Sequence, residues 1–429
     1  MAILKKTAAL LTAVMISVSI CSCGADTAYA LKADGKEIKA GVYIDYVFNE
    51  MSTQASNLGQ QSSSDDVLNQ KIDGKNFSDY VADEAMKSTK EYAAINAKFD
   101  EFKLKLDESK TKDINSKVND AWEQQGKLYE KEGISKESFK SVALNSLKRS
   151  AVFDYFYAKD GKEEVTDADL QKYVEDNYLR YKVIYMAKNA DDSAADKETK
   201  DLRDSYIKKA EGLSFADFDK IIEEYNEYQQ KKADESSAAQ ADSSAAESAA
   251  DSSSTDESKT DDSVTAESLE SFEAEAKEDA STVSAKETSD EASSAADSSS
   301  DSKTDSESDP YKNEQMTNYS TLDEKTLEQS YGKALTKIKE MKNNVATAYE
   351  DDNAYYIFIK GDIKERSKTY ASDEKNHTNI LYEMKGDDFQ KKIDEWVEKI
   401  KFDINDKAIK RYSVDEVYNI QKESNKSAK

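Results

Sequence analysis

Histidine and cysteine, the side chains that most often act as bases, nucleophiles and metal ligands, are almost absent from this chain of 429 residues. The single histidine, His377, lies in the charged stretch 373–377, and the only two cysteines, Cys21 and Cys23, stand near the N-terminus. One histidine without cysteines cannot supply the ligands of an ordinary zinc site, and it is poorly placed for a Ser-His-Asp arrangement. The pattern predicts a solvated surface histidine.

Two other kinds of chemical site are also not predicted. The 12 glycines form no Gly-rich phosphate-binding loop. The acidic run Glu350-Asp351-Asp352 does not have the ligand spacing of a calcium loop, so we expect a solvated turn there. The sequence therefore predicts no metal and no cofactor.

The first residues carry the pattern of a processed export signal. Lys5 and Lys6 precede an apolar run over residues 8–20, and this run is shorter than the about 20 apolar residues that cross a bilayer. The stretch Ile20-Cys21-Ser22-Cys23-Gly24 follows at once and resembles the bacterial lipobox. Cys21 fits the acceptor position less well than Cys23, because the bulky Ile20 would directly precede the cleavage point.

The lipobox resemblance implies a lipid anchor on Cys23. Residues 1–22 would be removed as a signal peptide, Cys23 would carry a diacylglyceryl group, and residues 23–30 would form a tether. Ordinary cleavage after Ala30, which would give a freely secreted protein, is the alternative. Either cleavage leaves no pair of cysteines, so the mature chain has no disulfide.

Negative charge is concentrated in one segment of the chain. Residues 233–309 contain 23 acidic and 4 basic residues, so this segment carries −19 of the formal net charge of −27. Its composition of Ser, Ala, Asp, Glu, Thr and Lys cannot bury enough apolar surface to fold, and we predict a disordered insert over residues 231–310. The absence of a basic stripe excludes nucleic-acid binding.

The remaining sequence divides into a helical part and a mixed part. Apolar residues recur at helical spacing over residues 31–164, and residues 366–421 are predicted to form a C-terminal helical segment with a polar tail over 422–429. Residues 165–230 contain a strand around 181–186 followed by two helices. Residues 311–365 contain a helix and then a hairpin whose strands flank Asp351-Asp352-Asn353.

The mixed part resembles a parvulin-type domain. Its order of strand, helix, helix, acidic insert, helix, strand, strand is that of the family, and Phe215-Ala-Asp-Phe218 and 354–360 resemble its helix motif and closing strand. The lipobox, a short Asp-Gly-Lys strand leading into a helix and the long helical part resemble the PrsA- and SurA-type extracytoplasmic foldases. The resemblance implies an α+β fold: a helical SurA-N-like chaperone domain plus a small parvulin-like domain interrupted by the insert.

The sequence departs from active parvulins at the positions that matter for catalysis. The two family histidines correspond to Val183 and Tyr356, the Gly-Gly loop is missing, and no cysteine is available for the Cys/Asp position. Isomerisation needs only a shaped apolar pocket that lowers a barrier of about 18–20 kcal/mol, so an active peptidyl-prolyl cis-trans isomerase remains one alternative. A non-catalytic surface interaction lipoprotein is the other.

Tyrosine is the most abundant aromatic residue, with 25 copies. Amphipathic rings suit many weak contacts with unfolded chains, and Tyr43, Tyr46 and Tyr92 are our candidates for client binding. The predicted function is that of a membrane-anchored foldase at the extracytoplasmic face of a bacterial membrane. Its partners would be unfolded or newly exported polypeptides, and analogy with related foldases implies a homodimer.

Overall fold

The computed structural model describes residues 28–59, 64, 66–189, 192–247 and 311–427. Cys23, the signal segment and most of the acidic segment lie outside these ranges. The fold is 67% helical and 13% strand, which confirms the α+β class. The chain forms two compact units, one containing the residues up to Phe156 and from Phe389 onward, the other containing Tyr157–Asp388.

The first unit begins with a β-hairpin around the Asp-Gly-Lys stretch, which the sequence predicts only as a short strand leading into a helix. Asp34 and Gly35 both have positive φ, at 48° and 83°, which is the backbone conformation of a tight two-residue turn. The turn joins two antiparallel strands, and a helix follows directly. The elements of this segment are β1 (Tyr29–Ala33), β2 (Lys36–Lys39), α1 (Ala40–Asn57), β3 (Lys71–Ile72), β4 (Lys75–Asn76) and α2 (Phe77–Glu101).

Two further long helices follow, α3 (Glu108–Glu132) and α4 (Lys136–Tyr157). Gly133 ends α3 with φ of 99°, the left-handed conformation that glycine adopts most easily. Apolar residues continue at helical spacing to Leu106, but helix α2 ends at Glu101 and Lys103 has φ of 54°.

The first helix that lies wholly within the second unit begins with a capping box. The hydroxyl of Thr166 accepts a hydrogen bond from the backbone of Asp169, and the Asp169 carboxylate accepts one from the backbone of Thr166. Each side chain satisfies one amide that the first helical turn leaves without a partner. The elements that follow are α5 (Asp167–Asn177), β5 (Tyr178–Ala187), α6 (Ser193–Ala210) and α7 (Phe218–Glu247).

Helix α7 extends further than predicted. We placed the start of the disordered insert at residue 231, but the helix continues to Glu247. The residues between these positions are mainly Ala, Glu, Gln, Lys, Asp and Ser, and the first four favour helix even on a solvated segment. A helix that starts on the buried Phe218 and Ile222 can therefore run on through polar sequence.

After residue 310 the chain supplies the rest of the second unit. The elements are β6 (Gln315–Asn318), α8 (Glu324–Glu328), α9 (Ser330–Glu340), β7 (Thr347–Glu350) and β8 (Ala354–Lys360). The predicted helix over residues 327–338 is divided in two, because Gln329 is extended, with φ of −77° and ψ of 168°. The predicted hairpin is confirmed, with Thr347 opposite Phe358.

One antiparallel sheet contains strands from both sides of the acidic segment. Its order is β6-β5-β8-β7. The central strand β5 pairs with β6 from Tyr178 opposite Asn318, and with β8 from Tyr181 opposite Lys360 to Ala187 opposite Ala354. Residues 165–230 and 311–365 therefore fold together around a shared sheet.

Both faces of this sheet are covered. On one face, Ile184, Met186, Ile357 and Ile359 pack against α6 and α7. On the other face, alternate residues of the same strands pack against α9. Period-two alternation places successive side chains on opposite faces, and burial on both faces explains why β5 and β8 read as nearly continuous apolar runs.

The C-terminal residues return to the first unit. The remaining elements are α10 (Ser367–Ser372), α11 (Glu374–Lys399), β9 (Phe402–Ile404), α12 (Asp406–Arg411) and α13 (Val414–Ser427). Strand β9 pairs with β1, with Leu31 opposite Ile404. The predicted separate segment over 366–421 is thus corrected, since everything from Phe389 belongs to the first unit, and the predicted polar tail is helical to Ser427.

The core of the first unit joins its N-terminal and C-terminal elements. Helix α1 packs against α2 and α13, and α3 also contacts α13. The buried apolar side chains of this core are Ala30, Ala40, Tyr43, Ile44, Val47, Met51, Ala55, Val67, Phe77, Val81, Ala85, Tyr129, Ile134, Val414, Val417 and Tyr418.

Candidate functional site

The residues most capable of acid, base or metal chemistry have structural roles. His377 Nε2 lies 3.7 Å from Asp167 Oδ1, and its side chain is 35% exposed. Glu350 accepts a hydrogen bond from Arg203, and Asp351 accepts one from the backbone of Ala354. Within the described ranges, no group of three or more His, Cys, Asp and Glu side chains is placed to hold a metal ion.

Val183 and Tyr356, the positions that correspond to the family histidines, lie on the same face of the sheet. Val183 is opposite Phe358, and Tyr356 is opposite Tyr185, on the paired strands β5 and β8. Both residues are buried in the cluster that packs against α9. The structure therefore brings the two positions together, but as parts of an apolar core.

The ring of Tyr356 is packed in the core, and its hydroxyl is hydrogen-bonded. The ring stacks on Phe358 with centroids 5.4 Å apart and meets Tyr185 edge-on at 5.5 Å. The hydroxyl donates a 2.9 Å hydrogen bond to Asp351 Oδ2. Burial raises the pKa of Tyr356 above its ordinary value, and the hydrogen bond to Asp351 raises it further. A neutral phenol held in this way is no general base.

The three tyrosines chosen as client-binding candidates lie in or against the core of the first unit. Tyr43 is only 1% exposed, and burial raises its pKa to about 12. Tyr43 is therefore a core residue and cannot contact a client in this fold. Helical spacing did not identify Tyr43 as a core residue, because α1 is buried around most of its circumference. Tyr46 and Tyr92 are partly buried, and Tyr46 packs against the core.

A better candidate surface lies where α2, α4 and α11 meet in the first unit. We define the aromatic cluster as Phe102, Tyr155, Phe156 and Trp396. Phe102 stacks on Tyr155 with centroids 4.5 Å apart, and Phe156 stacks on Trp396 at 6.0 Å. Trp396 is 9% exposed, while the other three rings are partly exposed. Three rings of the cluster therefore leave part of their surface exposed to solvent, and the buried Trp396 packs against Phe102 and Phe156.

Two lysines border this aromatic cluster. Lys98 Nζ lies 5.7 Å from the ring centroid of Phe102 and 5.6 Å from that of Trp396. Lys392 Nζ lies 4.8 Å from the ring centroid of Phe156. Ammonium groups over aromatic faces are favourable, and they keep a solvated rim around an apolar surface.

A groove runs between α2 and α11 in the same unit. Met86 and Val397 supply its apolar lining, and charged residues of both signs stand beside them. The full lining is Asp83, Met86, Lys87, Lys90, Glu91, Asp394 and Val397.

Sequence reasoning missed the aromatic cluster for a physical reason. Helical spacing alone places Phe102 and Phe156 on apolar helix faces. In the structure Phe102 directly follows the last residue of α2, and Phe156 is the second-last residue of α4. Periodicity reports which side of a helix is apolar, but it does not report how far along the helix the covering partner extends.

No protein-family model matches the chain, and no curated protein matches it. Within the described ranges, no helix has the length and apolar character needed to cross a bilayer. Functional inference therefore depends on the chain's own residues.

Proposed function

We propose that this chain is a lipid-anchored extracytoplasmic chaperone that binds unfolded, newly exported polypeptides through its helical unit. The observation that carries the proposal is the partly exposed aromatic cluster of the first unit, rimmed by Lys98 and Lys392. Aromatic rings give large contact area at small entropic cost, and a cluster of partly exposed apolar side chains indicates an interaction site. Cys23 would hold this surface at the outer face of the membrane.

The sheet unit supports the resemblance to parvulin-type foldases. The resemblance requires residues 165–230 and 311–365 to form one domain, and the pairing of β5 with β6 and β8 meets that requirement. The helices on both faces of the sheet are also compatible with a small α+β module. We infer that the acidic segment is an insertion into this module.

The same unit is proposed to brace the chaperone rather than to catalyse isomerisation. A prolyl isomerase needs an open apolar pocket for the imide. The face that holds Val183 and Tyr356 is instead filled by Tyr181, Tyr185 and Phe358. This packing favours a chaperone without isomerase activity.

An aggregation assay tests the proposal. The chain lacking residues 1–22, with Cys23→Ser to keep it free of lipid, is mixed at equimolar amounts with a chemically denatured client, and light scattering is followed. We expect strong suppression by this protein and clear loss of suppression in the Phe102→Ala/Phe156→Ala variant. Tyr228→Ala, which removes a partly exposed ring from the other unit, is the matched control. If the protein with its aromatic cluster intact does not suppress aggregation of the client, the proposal is contradicted.

A further inference from the structure

Three carboxyl groups are buried among the described residues of the first unit, and one of them, Glu50, accepts a hydrogen bond from Gln54. Asp45 lies on α1 and is 2% exposed, and Glu132 is the last residue of α3 and is 1% exposed. Buried ionisable groups are normally paired with a cation or coordinate a metal, because an isolated buried charge is very unfavourable. Asp45 and Glu132 depart from this pattern, because neither forms an ion pair with a described residue.

Glu132 lies in surroundings that oppose ionisation. Neither Oε1 nor Oε2 accepts a hydrogen bond from any described residue, although both atoms are shielded from solvent. The residue also ends α3, where the unsatisfied carbonyl groups of the helix present partial negative charge. Gly133 follows in left-handed conformation, and a Cβ at this position would lie only 2.9 Å from the ring of Tyr412 and 3.0 Å from Ile44 Cδ1 of α1. A carboxylate on Glu132 would be poorly compensated.

The neighbouring ionisable groups do not neutralise the pair. Burial raises the pKa of Asp45 to about 8. Burial, followed by the charge of Asp45, raises the pKa of Glu132 to about 8. No cationic group among the described residues lowers either pKa. The ionisable side chains on the elements packed around the pair include the buried Glu50 on α1, Tyr129 on α3 and Tyr412, which lies at Gly133. The cation whose charge reaches this region, Arg149, acts on Tyr46, next to Asp45 in the chain.

We propose that Asp45 and Glu132 form a proton-dependent latch that holds α1 against the C-terminal end of α3. When both groups carry protons they are neutral and tolerate burial. When they lose protons, two like charges share a site without a cation, and the helices are pushed apart. Opening would uncover core rings such as Tyr43 and Tyr129, which would add client-binding surface. This last consequence rests on the proposed chaperone function, whereas the latch itself does not.

The sign of the pH dependence follows from the two states. In the open state the carboxyls titrate near their ordinary values of about 4, whereas the closed state retains its protons up to about pH 8. The latch is therefore strongest below about pH 4, and it weakens as the pH rises from about 4 to about 8. The opening constant should increase about tenfold per pH unit for each proton retained, and it should level off above about pH 8.

Hydrogen–deuterium exchange of the full chain lacking the signal and lipid tests this proposal. Exchange is measured from about pH 5 to about pH 9 and corrected for the intrinsic pH dependence of amide exchange. Protection of α1 and of the end of α3 should fall at least tenfold per pH unit up to about pH 8. Asp45→Asn and Glu132→Gln should each make this fall shallower, while Glu130→Gln, an exposed residue on the same helix, should leave it unchanged.

Two results would overturn the latch. One is protection of α1 and α3 that is independent of pH in the unmodified protein. The other is a fall of protection with pH that is as steep in both Asp45→Asn and Glu132→Gln as in the unmodified protein. If a variant does not fold, infrared spectroscopy of the unmodified protein decides, because the latch requires a carbonyl band from protonated buried carboxyls at neutral pH. Absence of that band would refute it regardless of the variants.

Discussion

Arg180 Nε lies 2.9 Å from Glu314 Oε2, and the two side chains are only 9% and 2% exposed. Arg180 is on β5, before the acidic segment, whereas Glu314 directly precedes β6, after it. Glu314 also accepts a hydrogen bond from Arg366 at 3.0 Å. One buried carboxylate therefore joins the two stretches of chain that build the sheet unit, in addition to the backbone pairing.

Glu314→Gln should destabilise the sheet unit by about 3 kcal/mol, because it leaves two guanidinium groups with reduced compensation in a buried setting. Urea unfolding followed by circular dichroism measures the effect. Both tryptophans, Trp122 and Trp396, belong to the first unit, so the fluorescence transition is an internal reference that should not shift. Glu365→Gln removes a 65% exposed partner of Arg180 and should change stability by less than about 0.5 kcal/mol. Equal effects of the two substitutions would contradict this assignment.

Replacement of residues 248–310 by a short Gly/Ser linker should leave the sheet unit and client protection intact. The sheet registers and the Arg180–Glu314 contact all involve residues outside that range, and loop-closure entropy changes only slowly with length. Circular dichroism and the aggregation assay check the two expectations. Loss of client protection with retained fold would instead favour a surface interaction lipoprotein that binds through the acidic segment.

The protein should not accelerate prolyl isomerisation in a short proline peptide. Val183 and Tyr356 stand where the family histidines would be, and neighbouring rings fill the sheet face around them. A protease-coupled peptide assay gives the rate directly, with an active parvulin as the positive control. A rate clearly above the uncatalysed one would establish the isomerase alternative.

Tyr356→Phe should cost about 1 kcal/mol of sheet-unit stability, since it removes the 2.9 Å hydrogen bond to Asp351 while keeping the ring packing. Thermal unfolding by circular dichroism provides the comparison. Tyr349→Phe is a suitable control, because that ring contacts the same cluster without this bond to Asp351. A substitution at Tyr356 that has no effect would mean that the hydroxyl is not bonded as described.

Local sequence signals predicted much of this fold because local physics produces the elements concerned. Thr166 and Asp169 form a capping box whose partners are three residues apart, and Asp34-Gly35 forms a turn from its own backbone preferences. The strands β5 and β8 are rich in β-branched and aromatic residues. Each of these features can be read from a short window of sequence.

The remaining features depend on residues that are distant in sequence. Strand β9 is three residues long and is specified by its pairing with Leu31 and its neighbours, hundreds of positions earlier. Phe102 at the end of α2 contacts Trp396 on α11, with ring centroids 6.4 Å apart, and Gly133, next to Glu132, faces Ile44 of α1. No periodicity reports such contacts, so the latch and the aromatic cluster emerge only from the three-dimensional arrangement.

Site-specific photocrosslinking tests most directly whether the aromatic cluster receives clients. A photoreactive phenylalanine analogue is placed at Phe102 and, as a control, at Tyr228, and each protein is illuminated with one client in its unfolded and in its native form. The account predicts crosslinks from position 102 to the unfolded client alone, with few from position 228. Equal crosslinking at the two positions, or none to the unfolded client from position 102, would contradict it.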